Sequence, residues 1–165
     1  MSKWNIKLYA INFWLCFFLL AGCTASNTRS ALEQELYVAL EQYLTVFNEI
    51  KITFDTINLS EVMTGYALEN GLDYFEYYSQ EESKGNVTVR SAEKCKVEWV
   101  DVLSSGSTWA VIEAKKSCIT FSQDLTTGQR TYDNQARWRI QRFLFIKEDG
   151  RWKLARILEQ VSWSG

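Results

Sequence analysis

The apolar residues of this chain change their spacing once, and that change restricts the possible folds more than any other feature. Leu32, Leu36, Leu40, Tyr43, Phe47 and Ile50 recur at intervals of three and four, which draws a single apolar face along a helix. Ser30-Ala31-Leu32-Glu33 is a capping box at its start. Asn58-Leu59-Ser60-Glu61 is a second start signal, with Asn58 or Ser60 as the cap. Gly65 and Gly71 interrupt the segment that follows. It reads as a short helix, a break, then another helix to about Gln80, with a polar loop over 81–86.

From Val87 the spacing becomes two. Val87, Val89, Cys95, Val97 and Trp99 alternate with charges, which predicts a strand over 87–103. Further strands are predicted over 108–122, 131–147 and 151–161, with the turns between them marked by Gly106, Gly128 and Gly150. A three-residue loop with Gly150 left-handed would pair Ile146 with Trp152 and Leu144 with Leu154. Ala136, Trp138 and Ile140 share one face of the third strand, and Arg137, Arg139 and Gln141 the other, which reads as solvated. Helices followed by a run of strands make an α+β fold: N-terminal helices packed on a curved four-stranded antiparallel sheet, the first helix across its concave face.

The chain begins with Lys3 and Lys7, then an apolar run from Leu8 to Leu20 broken only by Asn12. A membrane-spanning helix needs about 20 apolar residues, so this run is short for a span and has the anatomy of a signal peptide. Leu20-Ala21-Gly22-Cys23 resembles the lipobox of bacterial lipoproteins. That resemblance implies cleavage after residue 22, lipid on Cys23, and a tether over 23–29 leading into one domain over 30–165. An ordinary signal peptide and an uncleaved anchor are the alternatives, and each exports the rest of the chain. Thr24 follows the cysteine, so the acidic residue that often retains lipoproteins in an inner membrane is missing. The expected location is the extracytoplasmic face of the cell membrane or the outer membrane.

Removing Lys3 and Lys7 from the 18 basic residues leaves 16 against 20 acidic ones, a net charge of about −4. Such a domain is poorly suited to nucleic acid, which rewards basic patches. The chain contains no histidine, which excludes Ser-His-Asp and Cys-His catalysis and histidine metal sites; no metal and no cofactor are expected. Cys16 would leave with the leader and Cys23 would carry lipid, so Cys95 and Cys118 remain as a candidate disulfide in an oxidising compartment. A hairpin closed at Gly106-Ser107 sets Cys95 opposite Cys118, Glu98 opposite Lys115 and Trp99 opposite Ala114. This register sorts apolar from charged residues imperfectly, because Lys116 falls on the apolar face and Val100 on the charged one. It also makes the two cysteines a widely spaced pair, which a bulge would relieve. Two buried free thiols are the alternative.

Arg142-Phe143-Leu144-Phe145-Ile146-Lys147-Glu148-Asp149-Gly150-Arg151-Trp152-Lys153-Leu154 is similar to the closing hairpin of the nuclear transport factor 2-like superfamily. Leu59-Ser60-Glu61-Val62-Met63-Thr64-Gly65-Tyr66-Ala67-Leu68 resembles the second-helix segment of one branch. That branch includes the intermembrane-space domain of cyanobacterial and plastid division proteins. The resemblance implies a cone of curved sheet closed by helices. In enzymes of the superfamily an acid/base residue lies inside the cone.

Asp101 is the candidate for such a base, on the face of Trp99 and near Ile112; its place beside the 104–107 turn argues instead for a solvated carboxylate. Asp55, Tyr74, Tyr77 and Tyr78 are further polar groups within possible reach of a cavity, although Leu68, Leu72, Phe75 and Tyr78 share a helical spacing that suits core packing. A cone filled by Trp99, Trp138 and the first helix would favour a non-catalytic module. The function expected is therefore a membrane-anchored binding module for a protein or a small apolar ligand. The alternative is a small isomerase- or dehydratase-like enzyme using Asp101.

Overall fold

The computed structural model describes residues 31–133 and 135–163. The leader, Cys23 and the Ser30 cap lie outside the described residues. The chain divides into two compact units, Met1–Gln34 and Glu35–Gly165, and only 31–34 of the first are described. A helix, α1, covers 31–53. It is followed by α2 (Leu59–Val62) and α3 (Gly65–Ser83). The strands are β1 (Val89–Ser105), β2 (Trp109–Asp124), the short β3 (Arg130–Tyr132), β4 (Arg137–Glu148) and β5 (Arg151–Trp163). The sheet is antiparallel, in the order β1-β2-β4-β5, with β3 paired to β2.

The long third strand of the sequence reading is two strands. Asp133 donates its backbone N–H to Thr120 and engages Arg137 at 3.5 Å, so the chain steps out of the ladder between β3 and β4. The apolar stripe of α1 is buried as expected at Leu36, Leu40, Tyr43 and Ile50. It packs with Phe75 of α3 and the inward residues Val97, Ile112, Phe143, Phe145 and Leu154. Burying a large apolar side chain contributes roughly 1.5–3 kcal/mol, so this layer is the main source of stability.

The break expected near Gly71 is absent, and α3 runs through it. A Cβ at Gly71 would lie 3.1 Å from Leu59 Cδ2 and 3.4 Å from Met63 Cε. The glycine allows α3 to approach α2 closely; it does not end a helix. Thr64 then fastens this helical pair to the sheet. Its N–H donates to the Leu154 carbonyl at 2.9 Å and its hydroxyl to Glu148 at 2.7 Å, while Met63 forms a parallel bridge to Leu154.

Both hairpin turns differ from their sequence readings by one residue. Gly106 donates to Trp109, which makes Ser107 and Thr108 the central pair of the first turn. The cysteines nevertheless face each other, because β1 carries extra residues at Glu98 and Leu103. In the second turn Asp149 and Gly150 both have positive φ, 52° and 79°. This is the two-residue Asp-Gly turn that matches strand twist, and it pairs Phe145 with Leu154 and Lys147 with Trp152. Strand β5 has further extra residues at Ala155, Leu158 and Val161. Bulges on both outer strands bend the sheet around α1.

The bulge at Glu98 also corrects the faces. Trp99 pairs with Lys115 and Val100 with Ala114, so Val100 turns inward and Trp99 outward. Trp138, opposite Ser117, is also on the outer face, and Arg139 points inward. The cone is thus filled by aliphatic and phenylalanine side chains and α1, with neither tryptophan inside. Substituting Gly71→Val, which forces a branched side chain against the fully buried Leu59, is expected to destabilise the fold by about 1–3 kcal/mol in chemical denaturation. An unchanged midpoint would contradict the close approach.

Candidate functional site

Two features stand out beside α1, and they share no residue. The first is a groove of about 270 Å³ between α1, α3 and β5. Tyr43 and Phe47 come from α1, Tyr66, Asn70 and Tyr74 from α3, and Leu154 and Ile157 from β5. Its walls are mainly aromatic. The Tyr43 and Phe47 ring centroids are 5.5 Å apart and those of Tyr74 and Tyr78 4.5 Å, each pair tilted. The few polar groups are occupied locally: Asn70 donates to the Tyr66 carbonyl at 2.7 Å, and the Arg156 guanidinium lies over the Tyr66 ring. Burial pushes the Tyr43 phenol well above its usual range, with Glu93 adding to the shift, so it stays neutral.

The second feature is a set of charges on the concave face. Lys116 on β2 is only 7% exposed and stands beside Arg139 on β4. Arg139 makes a two-point ion pair with Glu93 at 2.7 and 3.2 Å. Lys51 of α1 and Lys116 both lie within electrostatic reach of this pair and of one another. Desolvation lowers the Lys51 ammonium, and it lowers Lys116 to about 8, with Glu93 opposing the shift in both and Arg139 adding to it. Among the described residues Lys116 forms no hydrogen bond or ion pair. Gln141, which pairs with Ala114 two residues along the same face, has a buried Oε1 without a donor among the described residues. Three cations therefore lie near one carboxylate; Lys116 is buried, while Arg139 and Glu93 keep 30% and 18% of their side-chain surface exposed.

A larger, more polar cavity of about 560 Å³ lies along β1, between Thr45, Asn48 and Ile52 of α1 and Lys94, Arg130 and Tyr132. There the helix caps the sheet edge. Asn48 accepts from the Glu93 backbone N–H at 3.0 Å, and the Tyr37 hydroxyl donates to the Val97 carbonyl at 3.1 Å.

The candidates named from sequence are dispersed. Asp101 is exposed on the outer face, opposite Glu113. Asp55 is exposed and accepts from the Ile57 N–H. Tyr74 lines the groove, Tyr77 is exposed, and Tyr78 is half-buried. Cys95 and Cys118 form a disulfide with a Cα separation of 4.0 Å, the close spacing that the bulges permit. Glu93 lies near the two sulfurs, but the disulfide and Arg139 already engage all three donors. The Glu98–Lys115 ion pair forms at 2.7 Å, and Glu113 pairs with Arg142. The charge cluster was missed in the sequence, and its one signal was Lys116 interrupting an apolar alternation.

No family model and no curated protein matches the chain. Among solved structures it is similar to the intermembrane space region of chloroplast protein ARC6, with 18% identity and a TM-score of 0.60, over 79% of this chain and 97% of that one. A ketosteroid isomerase-like protein from Erwinia carotovora atroseptica SCRI1043 matches with 17% identity and a TM-score of 0.47, over 79% of this chain and 96% of that one. The chain shares the α+β fold of that intermembrane space region, helices followed by a curved antiparallel sheet.

The Lys116 shift fixes a sign for stability. The unfolded chain holds this proton up to about 10.5 and the folded chain only to about 8. Folded protein therefore gains stability as pH rises through that window, and the cost of the buried charge is fully present below it. Lys116→Met should raise the unfolding free energy near neutral pH by about 3 kcal/mol, an advantage that fades between pH 8 and 10.5. Denaturant titrations of both proteins across that range check this, and a pH-independent difference would contradict it.

Proposed function

We propose that this chain is a non-catalytic binding module, held by lipid on Cys23 at the extracytoplasmic face of a membrane, and that it takes an apolar ligand in the groove between α1, α3 and β5. The observation that carries this reading is the groove's composition. Its described lining is mainly aromatic and aliphatic, with Asn70 and Arg156 as its polar side chains besides the tyrosine hydroxyls, and includes no aspartate or glutamate. An isomerase or dehydratase needs an acid/base group within hydrogen-bond reach of the reacting carbon acid. Asp101 lies on the opposite face of the sheet, and Glu93 is engaged by Arg139. A concave, mostly carbon-lined site suits a small apolar molecule.

The anchoring reading is supported by the Leu20-Ala21-Gly22-Cys23 pattern at the end of a short apolar run. No helix among the described residues is long and apolar enough to cross a membrane. Acyl chains on Cys23 would add about 0.8 kcal/mol for each buried CH₂, and more than one chain is needed for stable attachment.

Each part has its own test. Cys23→Ser should shift the protein from the membrane to the soluble fraction of cells, and identical fractionation of parent and variant would remove the anchor. For the groove, the neutral dye N-phenyl-1-naphthylamine should brighten on adding the protein. Asn70→Trp, which fills the groove from an exposed helix position, should abolish most of that signal. Equal brightening with the variant would exclude the groove as the ligand site.

A further inference from the structure

The Cys95–Cys118 disulfide lies beside the charge cluster. The Glu93 carboxylate and the two sulfurs are within 4.8 Å of one another, and the same carboxylate holds Arg139. Cys118 and Lys116 are two residues apart on β2 and both are buried, so they share its inner face. Lys51 of α1 is within electrostatic reach of Glu93 and of Lys116. Arg137, opposite Cys118 on β4, is paired with Asp133. Among the described residues of the cluster, Lys51, Lys116 and Arg139 thus set three positive charges against the one negative charge of Glu93. The two cysteines differ in access. Cys118 is 2% exposed, whereas Cys95 is partly exposed and lines the cavity of about 560 Å³ along β1. Lys94 and Arg130 belong to the same lining and balance Glu49 and Glu93 there. The β1–β2 ladder continues on both sides of the bond, from the Val89–Asp124 pair to the Ser105–Ala110 pair, so opening the bond leaves the strands paired.

We infer that this disulfide is a thiol-exchange site that oxidises a dithiol presented in the cavity along β1, with Cys95 as the sulfur attacked and Cys118 as the sulfur released. The groove between α1, α3 and β5 takes no part in it. The donor's first thiolate forms a bond to Cys95 Sγ, the Cys95–Cys118 bond breaks, and its electron pair leaves on Cys118 Sγ. The donor's second thiolate then attacks the donor's first sulfur, and Cys95 departs as a thiolate. The dithiol gives up two electrons and two protons and becomes a disulfide. Cys95 takes one proton, Cys118 keeps its negative charge, and the other proton goes to solvent. Access decides which sulfur is attacked, because only Cys95 borders the cavity. Charge decides which sulfur leaves. A thiolate on Cys118 is attracted by the surplus of cations, whereas the intact disulfide is neutral and gains nothing from them. A thiolate that is better stabilised leaves faster, and a stabilised reduced form makes the disulfide the stronger oxidant. The cluster also benefits, since buried charge is costly unless a counter-charge joins it.

The test is a redox titration of the oxidised full chain in graded glutathione buffers, two glutathione molecules standing in for the dithiol. Samples are quenched with acid, free thiols are alkylated, and the Cys95 and Cys118 peptides are read separately by mass spectrometry. The pair should pass from oxidised to reduced within the range these buffers cover, where structural disulfides of exported proteins stay oxidised. The trapped glutathione adduct should sit on Cys95 and not on Cys118. Circular dichroism should show the reduced chain still folded. Lys116→Met should move the equilibrium constant about tenfold toward the disulfide, a shift of about 30 mV. Lys51→Met should act in the same direction, and this half-buried helix position keeps the fold even if Lys116→Met does not. A merely structural role for either lysine would leave the potential unmoved. A pair that stays oxidised throughout, an adduct on Cys118, reduction only with loss of the sheet, or an equilibrium that neither lysine variant shifts would each overturn the inference. None of these results bears on the dye assay of the groove.

Discussion

The pairing of β1 with β2 determines what the interior of this protein contains. Fifteen residue pairs hold the two strands together, and the two register shifts between them decide which side chains turn inward. One extra residue at Glu98 reverses the parity of the residues beyond it, as far as the second insertion at Leu103. Val100 enters the core, Trp99 leaves it, and Asp101 follows Trp99 to the outer face. A clean ladder would have placed an indole and a carboxylate inside the cone, with a different site as the result. The cysteines lie on the far side of that bulge, and their bond holds the register where the inner face becomes charged.

Most of the architecture was legible because it follows from periodicity. The α1 stripe, the four long strands and their order could be read from which residues alternate. The errors have a common physical origin: single-residue insertions leave almost no trace in a pattern of period two. The two-residue turn at Asp149-Gly150 and the bulges of β5 are of this kind, each set by backbone conformation more than by side-chain type. Gly71 misled in a different way. A glycine within a helix looks the same in sequence whether it breaks the helix or admits a neighbour, and only the position of Leu59 distinguishes the two.

The site was less legible than the fold. Tyr74 could be singled out because aromatic runs are conspicuous, but the groove needs α1, α3 and β5 together, and no local pattern records that meeting. Lys116 looked like a flaw in an amphipathic strand. In the structure it is a buried cation under the influence of Glu93, which lies 23 residues away in sequence and is paired with an arginine from a third strand. Natural chains break their own patterning at functional or strained positions, and the departure at Lys116 is the sequence's clearest pointer to the interior cluster.

Among the described residues the outer side of β5 beyond Leu154 carries no neighbouring strand, yet it displays Ile157, Leu158 and Val161. An edge of this length and hydrophobicity is ordinarily a template on which a second chain adds itself and stacks into fibrils. Here the inserted residues at Ala155, Leu158 and Val161 upset the even spacing of donors and acceptors that such zippering requires. The irregularities that curl the sheet therefore also make this edge a poor template for a second chain.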